Sequence, residues 1–358
     1  MFPDRLVHDC GERGRGAVPE LANLSLVWVV PIFVAGAIVI AVTGARLAGV
    51  ANVLADRTGL GEVVAGALFV GAATSLPGAI TSVSTAAQGA PELAIGNALG
   101  GLTAQTAFIA IADLAYRRAN LEHAAASVTG LAQGVLLAAL LTIVLLAETV
   151  PDIAVFGVHP ASMLIVLVYG FGLRLLTKIK DEPMWRPVRT EETRAELTQP
   201  EAGAGSTGAL WRAFLLLAAL TACSGYVIGE ASIAIVDKTH LSATAVGTVF
   251  TAVANSLPEL VTAIAAVRIG AVNLAVGDII GGNAFEVIFL SLADLSYEGS
   301  IYSAFSLANR STALMALLMT TVLLLGMLRR ERLGIARIGF ESAAVLLLYA
   351  VSVVLVWV

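Results

Sequence analysis

The residues from Ala252 to Glu286, AVANSLPELVTAIAAVRIGAVNLAVGDIIGGNAFE, decide how the rest of the chain is interpreted. They place Pro258 and two acidic residues, Glu259 and Asp278, inside sequence that is apolar enough to span a membrane. A charged side chain within the lipid costs about 3 kcal/mol or more, and such residues are usually functional. The stretch therefore predicts a buried polar site within a membrane protein.

A second copy of this pattern lies 181 residues earlier in the chain. A shift of 181 aligns Ser75-Leu76-Pro77 with Ser256-Leu257-Pro258, and no gap is needed. The same shift matches Thr81 with Thr262, Gly89 with Gly270, Gly96 with Gly277, Gly100-Gly101 with Gly281-Gly282, Phe108 with Phe289, Asp113-Leu114 with Asp294-Leu295, and Tyr116 with Tyr297. Matched prolines, glycines, aspartates and tyrosines in one register indicate a true internal repeat.

The composition is that of a membrane protein. Of 358 residues, 58% are hydrophobic and only 13% are charged, and the mean hydropathy is +0.88. A soluble domain carries about 25% charged residues. We therefore expect an all-α polytopic membrane protein that binds no nucleic acid. The two cysteines, Cys10 and Cys223, provide neither a disulfide framework nor a thiolate metal site.

Ten segments are apolar over the length of about 20 residues that a membrane crossing needs. They cover roughly residues 26–53, 60–86, 91–116, 123–148, 153–177, 209–236, 242–267, 271–295, 308–328 and 336–357. The repeat divides them into five and five, and an odd number of spans makes the second copy enter from the opposite face, so we predict two inverted five-helix repeats. The predicted units are an extracellular tail at 1–25, a first repeat at 26–180, a cytoplasmic linker at 181–207 and a second repeat at 208–358.

The basic residues support this layout because they collect on one side of the predicted membrane. That side contains Arg57, Arg117, Arg118, Arg174, Lys178, Lys180, Arg186, Arg189, Arg194, Arg212, Arg268, Arg329, Arg330, Arg332 and Arg337. The other side keeps Arg5, Arg13, Arg15, Lys238 and Arg310. By the positive-inside rule the first set is cytoplasmic. Both termini are then predicted to lie outside a plasma or inner membrane, with lipid around the helices.

Glu259 and Asp278 are predicted to meet near the middle of the membrane. They flank a predicted turn at Gly270 and, at 1.5 Å per residue, lie about 16 and 12 Å from it in a core about 30 Å thick. The first repeat brings Gly78 and Asn97 to a matching depth from the opposite side. Protons are natural competitors for buried carboxylates, so ion flux through such a site is expected to fall at acidic pH.

The prolines are predicted to expose backbone oxygens at this depth. Pro77 and Pro258 lack an N–H, so the carbonyls four residues earlier lose their helical partners. In a membrane such carbonyls are tolerated only where protein or a water-filled cavity receives them, and a cation can do the same. Further oxygens on the same turns come from Thr74, Ser75, Asn255 and Ser256. Carboxylates with other oxygen ligands are typical of a sodium or calcium site and not of a zinc or copper site.

The second-repeat sequence SLPELVTAIAAVRIGAVNLAVGDIIGGNAF resembles the alpha-repeat of the cation/calcium exchanger superfamily, which includes the sodium/calcium exchangers. The first-repeat sequences ATSLPGAITSV and AIGNALGG resemble it more loosely. The resemblance implies the 5+5 fold and the exchange of Ca²⁺ or another cation for Na⁺ or H⁺ by alternating access, with the first and sixth spans sliding against the core. The residues that it assigns to cation binding are Glu259, Asp278, Asn97, Thr74, Ser75 and Ser256.

Two departures from the family pattern affect the expected ion. Gly78 replaces the first-repeat glutamate, and Gly101-Leu102 replaces a serine-asparagine pair. A lost carboxylate weakens binding of a divalent ion more than that of a monovalent ion, because Coulomb energy scales with the product of the charges. Glu286, where relatives commonly have asparagine, could restore a charge and is included in the predicted site. It lies about 80° around its helix from Asp278 at 100° per residue.

We therefore predict a secondary-active cation antiporter with no cofactor besides its transported cations, and we predict no oligomeric state. One alternative is a monovalent Na⁺/H⁺ or K⁺ exchanger, because of Gly78. Another is a non-transporting membrane protein derived from an exchanger. An intramembrane aspartyl protease is disfavoured, because it needs two aspartates sharing a proton and the repeat mate of Asp278 is Asn97.

Several polar residues also have structural interpretations. Asn97 could join two helices by hydrogen bonds. Asp113 and Asp294 fall near predicted helix ends, where anchoring at the membrane surface is expected. Glu148 and Glu230 fall near predicted outer ends and are expected to contact solvent.

Overall fold

The computed structural model describes residues 19–58, 63–116, 118–151, 153–155, 157–193, 206–334 and 338–357. Residues 1–18 of the predicted tail and 194–205 of the predicted linker lie outside the described residues, as do Arg117 and Arg337. The first half of the chain contains α1 (Pro19–Asn23), α2 (Leu26–Thr58), α3 (Val63–Thr74), α4 (Leu76–Ala87), α5 (Pro91–Ala115), α6 (Leu121–Ala124), α7 (Val128–Ala147) and α8 (Pro160–Asp181). The second half contains α9 (Thr207–Thr239), α10 (Ala243–Ala245), a π-helix (Val246–Thr251), α11 (Ala252–Asn255), α12 (Leu257–Ile269), α13 (Val272–Glu286), α14 (Ile288–Ser296), a 3-10 helix (Ile301–Ala304), α15 (Leu307–Arg329) and α16 (Phe340–Leu355).

Helices α2 and α9 are the longest, with 33 residues each, and they pack side by side. Val27, Leu215 and Leu216 on their outer surfaces are mostly exposed. Apolar residues around the whole circumference are typical of a helix surrounded by lipid. Between the two helices, Thr221 Oγ1 donates a hydrogen bond to Thr43 Oγ1 over 2.9 Å.

Helix α5 forms the centre of the molecule. Every residue from Leu93 to Ala110 is buried, and α5 contacts α4, α12, α13, α15, α16 and the π-helix. Its start is set by a glycine turn in which Gly89 has a φ of 77°. The repeat mate Gly270 has a φ of 87° just before α13, so both turns use backbone that glycine adopts without strain.

Two of the predicted spans are broken at equivalent positions. The breaks fall at Ser75, between α3 and α4, and at Ser256, between α11 and α12. The second break bends the helix axis by 43°. Pro77 and Pro258 lie in the first turn of the new helices, where a proline is tolerated because an N–H has no partner there. The prolines thus cause the interruptions that the sequence predicts.

A glycine on each long helix packs against the proline of the opposite repeat. A Cβ at Gly44 of α2 would lie 2.4 Å from Pro258 Cγ, and a Cβ at Gly225 of α9 would lie 2.5 Å from the Pro77 carbonyl oxygen. Gly44 and Gly225 are themselves repeat mates. The absence of a side chain lets the α2/α9 pair approach the helix breaks closely.

Asp113 and Asp294 are buried and connect the ends of helices. Asp294 accepts hydrogen bonds from the backbone N–H of His159 over 2.8 Å and of Ile301 over 3.0 Å, and from the Ser162 hydroxyl over 2.8 Å. Both aspartates are 0% exposed. The carboxylate of Asp294 therefore caps the start of α8, and anchoring at the membrane surface stays a prediction.

Asp113 makes the equivalent contacts in the first repeat. It accepts from the N–H of Leu121 over 2.7 Å, from the Ser342 hydroxyl over 2.8 Å and from the N–H of Gly339 over 3.4 Å. Gly339 is the N-cap of α16, so this aspartate joins α5 of the first repeat to the last helix of the second. The internal repeat thus extends to the bonds that hold its ends together.

The expectation that Glu148 and Glu230 contact solvent is wrong. Glu148 forms an ion pair with Arg310 at 2.6 Å, and its side chain is 7% exposed. Glu230 is 9% exposed and accepts a hydrogen bond from Gln88. Each carboxylate has a partner on a neighbouring helix, which permits its burial.

Seven helices in the described ranges are long and apolar enough to cross a membrane, and the bent α10–α12 segment makes an eighth. Helix α16 is apolar but has only 16 residues, and α3 and α4 have 12 residues each. The all-helical membrane architecture is therefore confirmed. A helix or a broken helix lies at each predicted span, while the number of ten complete crossings stays a prediction.

Candidate cation site

Glu259 lies in the first turn of α12, directly after the break at Ser256, and is 2% exposed. From the opposite repeat, Ser75 Oγ donates to Glu259 Oε1 over 3.4 Å. Among the described residues, Glu259 Oε2 has no hydrogen-bond partner and is buried. A buried carboxylate oxygen without a donor is costly, and a bound cation at this helix break would satisfy it.

Glu286 is a second buried carboxylate that faces the same space. It is the last residue of α13, is 4% exposed and accepts a hydrogen bond from Gln105 Nε2 of α5. Gln105 Nε2 also donates to Ser256 Oγ over 3.2 Å. The Ser75 hydroxyl lies beside Glu259, and a Cβ at Gly101 would be 2.5 Å from Glu286 Oε2 and 3.6 Å from Ser256 Oγ. Ser75, Gln105, Ser256, Glu259 and Glu286 together form what we name the central chamber.

The central chamber lies where the two repeats meet face to face. Gln105 and Glu286 are 181 residues apart and are therefore repeat mates in direct contact. Asn283 Nδ2 likewise donates to the carbonyl oxygen of its repeat mate Leu102 over 3.4 Å. Contacts between equivalent positions arise only near the axis that relates two repeats. The chamber is thus on the internal symmetry axis of the molecule.

Asn97 and Asn255 join an amide network beside the chamber. Asn97 Nδ2 donates to the Gly78 carbonyl oxygen over 3.0 Å and to Ser82 Oγ over 2.8 Å. Asn255 Nδ2 donates to Asn97 Oδ1 over 2.8 Å and to Thr81 Oγ1 over 3.1 Å. Asn97 thus holds helices together in this conformation. Asn255 Oδ1 is buried and has no partner among the described residues.

Thr74 and Asp278 border the chamber differently. The Thr74 hydroxyl donates to the Gly71 carbonyl oxygen over 3.0 Å, so it satisfies the end of α3. Asp278 is half-buried and lines a cavity between α3, α7, α8 and α13 with Gln133 and Tyr169. Asp278 lies on α13, which packs against α12, the helix that carries Glu259. Asp278 therefore borders the cavity on the same helix that brings Glu286 to the chamber.

Gln105 and Gln133 are polar residues that the sequence interpretation missed. Gln105 could have been found because it is the repeat mate of Glu286, and repeat mates meet at a symmetry axis. Gln133 is a polar residue in the apolar sequence of α7, and a Cβ at Gly281 would lie 2.9 Å from its Nε2. A polar side chain within the lipid is a functional hypothesis by default.

The two sides of the chamber are closed to different degrees. On the α5 side, a Cβ at Gly100 would lie 2.5 Å from the Thr248 carbonyl oxygen, and one at Gly96 would lie 3.0 Å from that of Thr244. Among the side chains that the structure describes, only Gln133 lies within 4 Å of a Cβ at their repeat mates on α13, Gly277 and Gly281. The cavity beside Asp278 therefore occupies a space that is filled by helix packing on the other side.

The chemistry of the chamber suits a hard cation that binds reversibly. Carboxylate, amide and hydroxyl oxygens line it, and oxygen ligands are those that sodium and calcium prefer. Within the described ranges, no three Asp, Glu, His or Cys side chains are grouped to hold a metal ion. The arrangement thus offers a few charged oxygens with neutral ones around them.

Comparison with known families agrees with the repeat. The family model described as sodium/calcium exchanger protein matches residues 28–178 and 209–358, which correspond to the two halves. The chain is also 29% identical over 275 residues to the inner membrane protein YrbG of Escherichia coli (strain K12). That alignment covers 75% of this chain and 80% of the relative.

Solved structures share the fold at low sequence identity. The H⁺/Ca²⁺ exchanger CAX matches with a TM-score of 0.65 and 14% identity, covering 91% of this chain and 82% of that chain. The sodium-calcium exchanger NCX_Mj matches with a TM-score of 0.58 and 16% identity, covering 92% of this chain and 99% of that chain. The similarity therefore extends over nearly the whole helical arrangement.

Proposed function

Because the chain belongs to the sodium/calcium exchanger protein family, we propose that it is a secondary-active antiporter that carries its cation in the central chamber. The observation that supports this site best is Glu259, which is buried at a helix break with one carboxylate oxygen unpartnered in the described structure. A cation would receive that oxygen together with the hydroxyls of Ser75 and Ser256. A transported ion needs such a site, because it must lose its hydration shell on one side of the membrane and regain it on the other.

Asp278 and the cavity beside it form the approach to the chamber in this proposal. The charge of Asp278 attracts a cation into the cavity, and the cation then passes inward to Glu259. Asn97, Asn255 and Thr74 contribute by holding the helix breaks in place and by offering carbonyl oxygens during the exchange. In this proposal, all the residues predicted from the sequence to bind the cation take part in its transport, but they do so from different positions along its path.

The proposed transport cycle uses ten spans in two inverted repeats, with both termini outside. The α2/α9 pair slides against the core, which contains the two broken helices with α5 and α13. Close contacts at Gly44 and Gly225 support this, because the pair touches the broken helices at their prolines. A sliding pair that reaches both breaks can expose the chamber to one side at a time.

A transport assay tests the proposal. Purified full-length protein is reconstituted in liposomes, and calcium, sodium, potassium and proton movements are measured under imposed gradients. We expect Glu259→Gln to lower cation-driven flux at least about 100-fold, because the uncharged side chain removes a ligand charge from a dry site. Glu341→Gln is the matched control, because Glu341 is equally buried but lies at the start of α16 beside Gly326.

Two outcomes would contradict the proposal. Native protein that moves none of these ions would favour a non-transporting membrane protein derived from an exchanger. Unchanged flux in folded Glu259→Gln would exclude the central chamber as the cation site. Gly78 favours a second candidate, exchange of monovalent cations alone, because the repeat mate of Glu259 carries no charge.

A further inference from the structure

Gly78 leaves the first repeat without a carboxylate where the second repeat has Glu259. Gly78 lies beside Phe289, because a Cβ there would be 3.1 Å from Phe289 Cε2. A side chain at this position would thus require the Phe289 ring to shift by a few tenths of an ångström. Glu259 therefore has no acidic counterpart at the equivalent position of the other repeat.

Glu286 brings a carboxylate to the chamber by another route. A Cβ at Gly101 of α5 would lie 2.5 Å from Glu286 Oε2 and 3.6 Å from Ser256 Oγ. The carboxylate thus occupies space that any side chain at Gly101 would take. Glu286 Oε1 accepts from Gln105 Nε2, so the amide of its repeat mate orients it.

The helical backbone runs through this position in both repeats. Val287, between α13 and α14, keeps a helical φ of −58° and ψ of −28°, and Val272–Ser296 form one span of 25 residues. The equivalent part of α5 continues through Gln105 up to Ala115. Glu286 and Gln105 therefore occupy equivalent helical positions on the two sides of the axis. Because Gln105 is an amide, no second charge on the axis opposes it.

We propose that Glu286 supplies the second carboxylate of the transported ion's site, in place of the side chain absent at Gly78, and makes it a site for a divalent cation such as Ca²⁺. This inference rests on the antiporter function proposed above. Two carboxylates neutralise a divalent charge, and calcium takes six to eight oxygen ligands. Glu259 Oε2 and Gln105 Oε1 are buried without partners in the described part of the chain, so in this proposal they supply further ligands together with the hydroxyls of Ser75 and Ser256.

The experiment measures calcium directly as well as its transport. Full-length protein in detergent is titrated with CaCl₂ while its thermal unfolding is followed, and radioactive calcium uptake is measured in liposomes. We expect Glu286→Gln to raise the half-saturating calcium concentration on the order of tenfold or more in both assays. Glu341→Gln should remain within twofold of the native protein.

A relocated charge separates a ligand role from a structural role. In the double variant Gly78→Glu with Glu286→Gln, the carboxylate returns to the first repeat, and the calcium response should recover at least in part. A merely structural Glu286 would not be rescued in this way. A folded double variant that remains as insensitive to calcium as Glu286→Gln would contradict the proposal that Glu286 replaces the side chain absent at Gly78.

The possible failures are distinguishable. If Glu286→Gln keeps its calcium response while Glu259→Gln loses transport, the inference about Glu286 is wrong and the antiporter function stands. If the native protein exchanges only monovalent cations, the divalent assignment is overturned and antiport still stands. If Glu259→Gln transports like the native protein, the proposed site fails together with this inference.

Discussion

Single residues in this protein are constrained by their repeat mates across the axis. Gly101 faces Glu286, while its mate Gly282 faces Gln105, whose Oε1 would be 3.8 Å from an added Cβ. The contact at Gly101 is too close for an added methyl group, while the contact at Gly282 is an ordinary van der Waals distance. Gly101 and Gly282 therefore differ in whether they tolerate a larger side chain, although the repeat makes them equivalent in position.

Gly101→Ala is expected to lower cation flux on the order of tenfold, because the added methyl group displaces the Glu286 carboxylate. Liposome flux, normalised to the amount of folded protein, measures the effect. Gly170→Ala serves as the control, because a Cβ at this position of α8 meets nothing within 4 Å. Equal flux in Gly101→Ala and Gly170→Ala would show that the Glu286 carboxylate has room to move.

Asp294→Asn is expected to lower the free energy of unfolding by about 1–3 kcal/mol, because an amide gives up charge-assisted hydrogen bonds from two backbone N–H groups. Asp113→Asn should have a similar effect on the other side. Thermal unfolding in detergent measures both. Asp237→Asn is the control, since Asp237 is exposed near the end of α9. A loss no larger than that of the control would contradict the capping role.

At the scale of helices, the broken segments could be predicted from sequence and their partners could not. Pro77 and Pro258 lie in matching registers, and a proline within an apolar span has few consequences besides a break. The close contacts of these prolines with Gly44 and Gly225 depend on which helices pack together. The periodicity of the sequence carries no information about that packing. The burial of Glu148 and Glu230 was missed for the same reason, because their partners lie on other helices.

The close glycine–proline contacts give a prediction for the α2/α9 pair. Gly44→Ala and Gly225→Ala are each expected to reduce flux severalfold, because the new methyl groups meet Pro258 and the Pro77 backbone. Gly49→Ala on the same helix α2 is the matched control, since no described atom lies within 4 Å of a Cβ there. Flux in liposomes is compared among the three variants. If Gly49→Ala impairs flux equally, the effect comes from helix flexibility and not from the close glycine–proline contacts.

At the scale of the whole molecule, the family and the inverted repeat followed from residues in one register, such as Ser75-Leu76-Pro77 and Ser256-Leu257-Pro258. The arrangement of the site followed less completely. Composition and spacing place Glu259 and Asp278 at one depth, but the direction in which each side chain points depends on the rotation of packed helices. Asp278 consequently lines a cavity, while Glu286 lies in the chamber.

The cavity predicts unequal access from the two sides of the membrane. It is lined by Gln133 near the start of α7 and by Leu173 near the end of α8, which the charge distribution assigns to the cytoplasm. In a variant without native cysteines, Gln133→Cys should react with a membrane-impermeant maleimide only from the cytoplasmic face. Thr248→Cys, packed against Gly100, should stay unreactive. Labelling of Gln133→Cys from the outer face would contradict the assignment.

In the proposed transport cycle, the unequal packing of the paired glycines gives the chain a template for a second conformation. Threading each repeat onto the backbone of its mate would close the face at Gly277 and Gly281 and open the one at Gly96 and Gly100. One amino-acid sequence would then encode both conformations of that cycle as versions of a single packing choice related by a two-fold axis. Each helix interface must then be stable enough to form and weak enough to separate. This explains why glycines rather than large interlocking side chains line it.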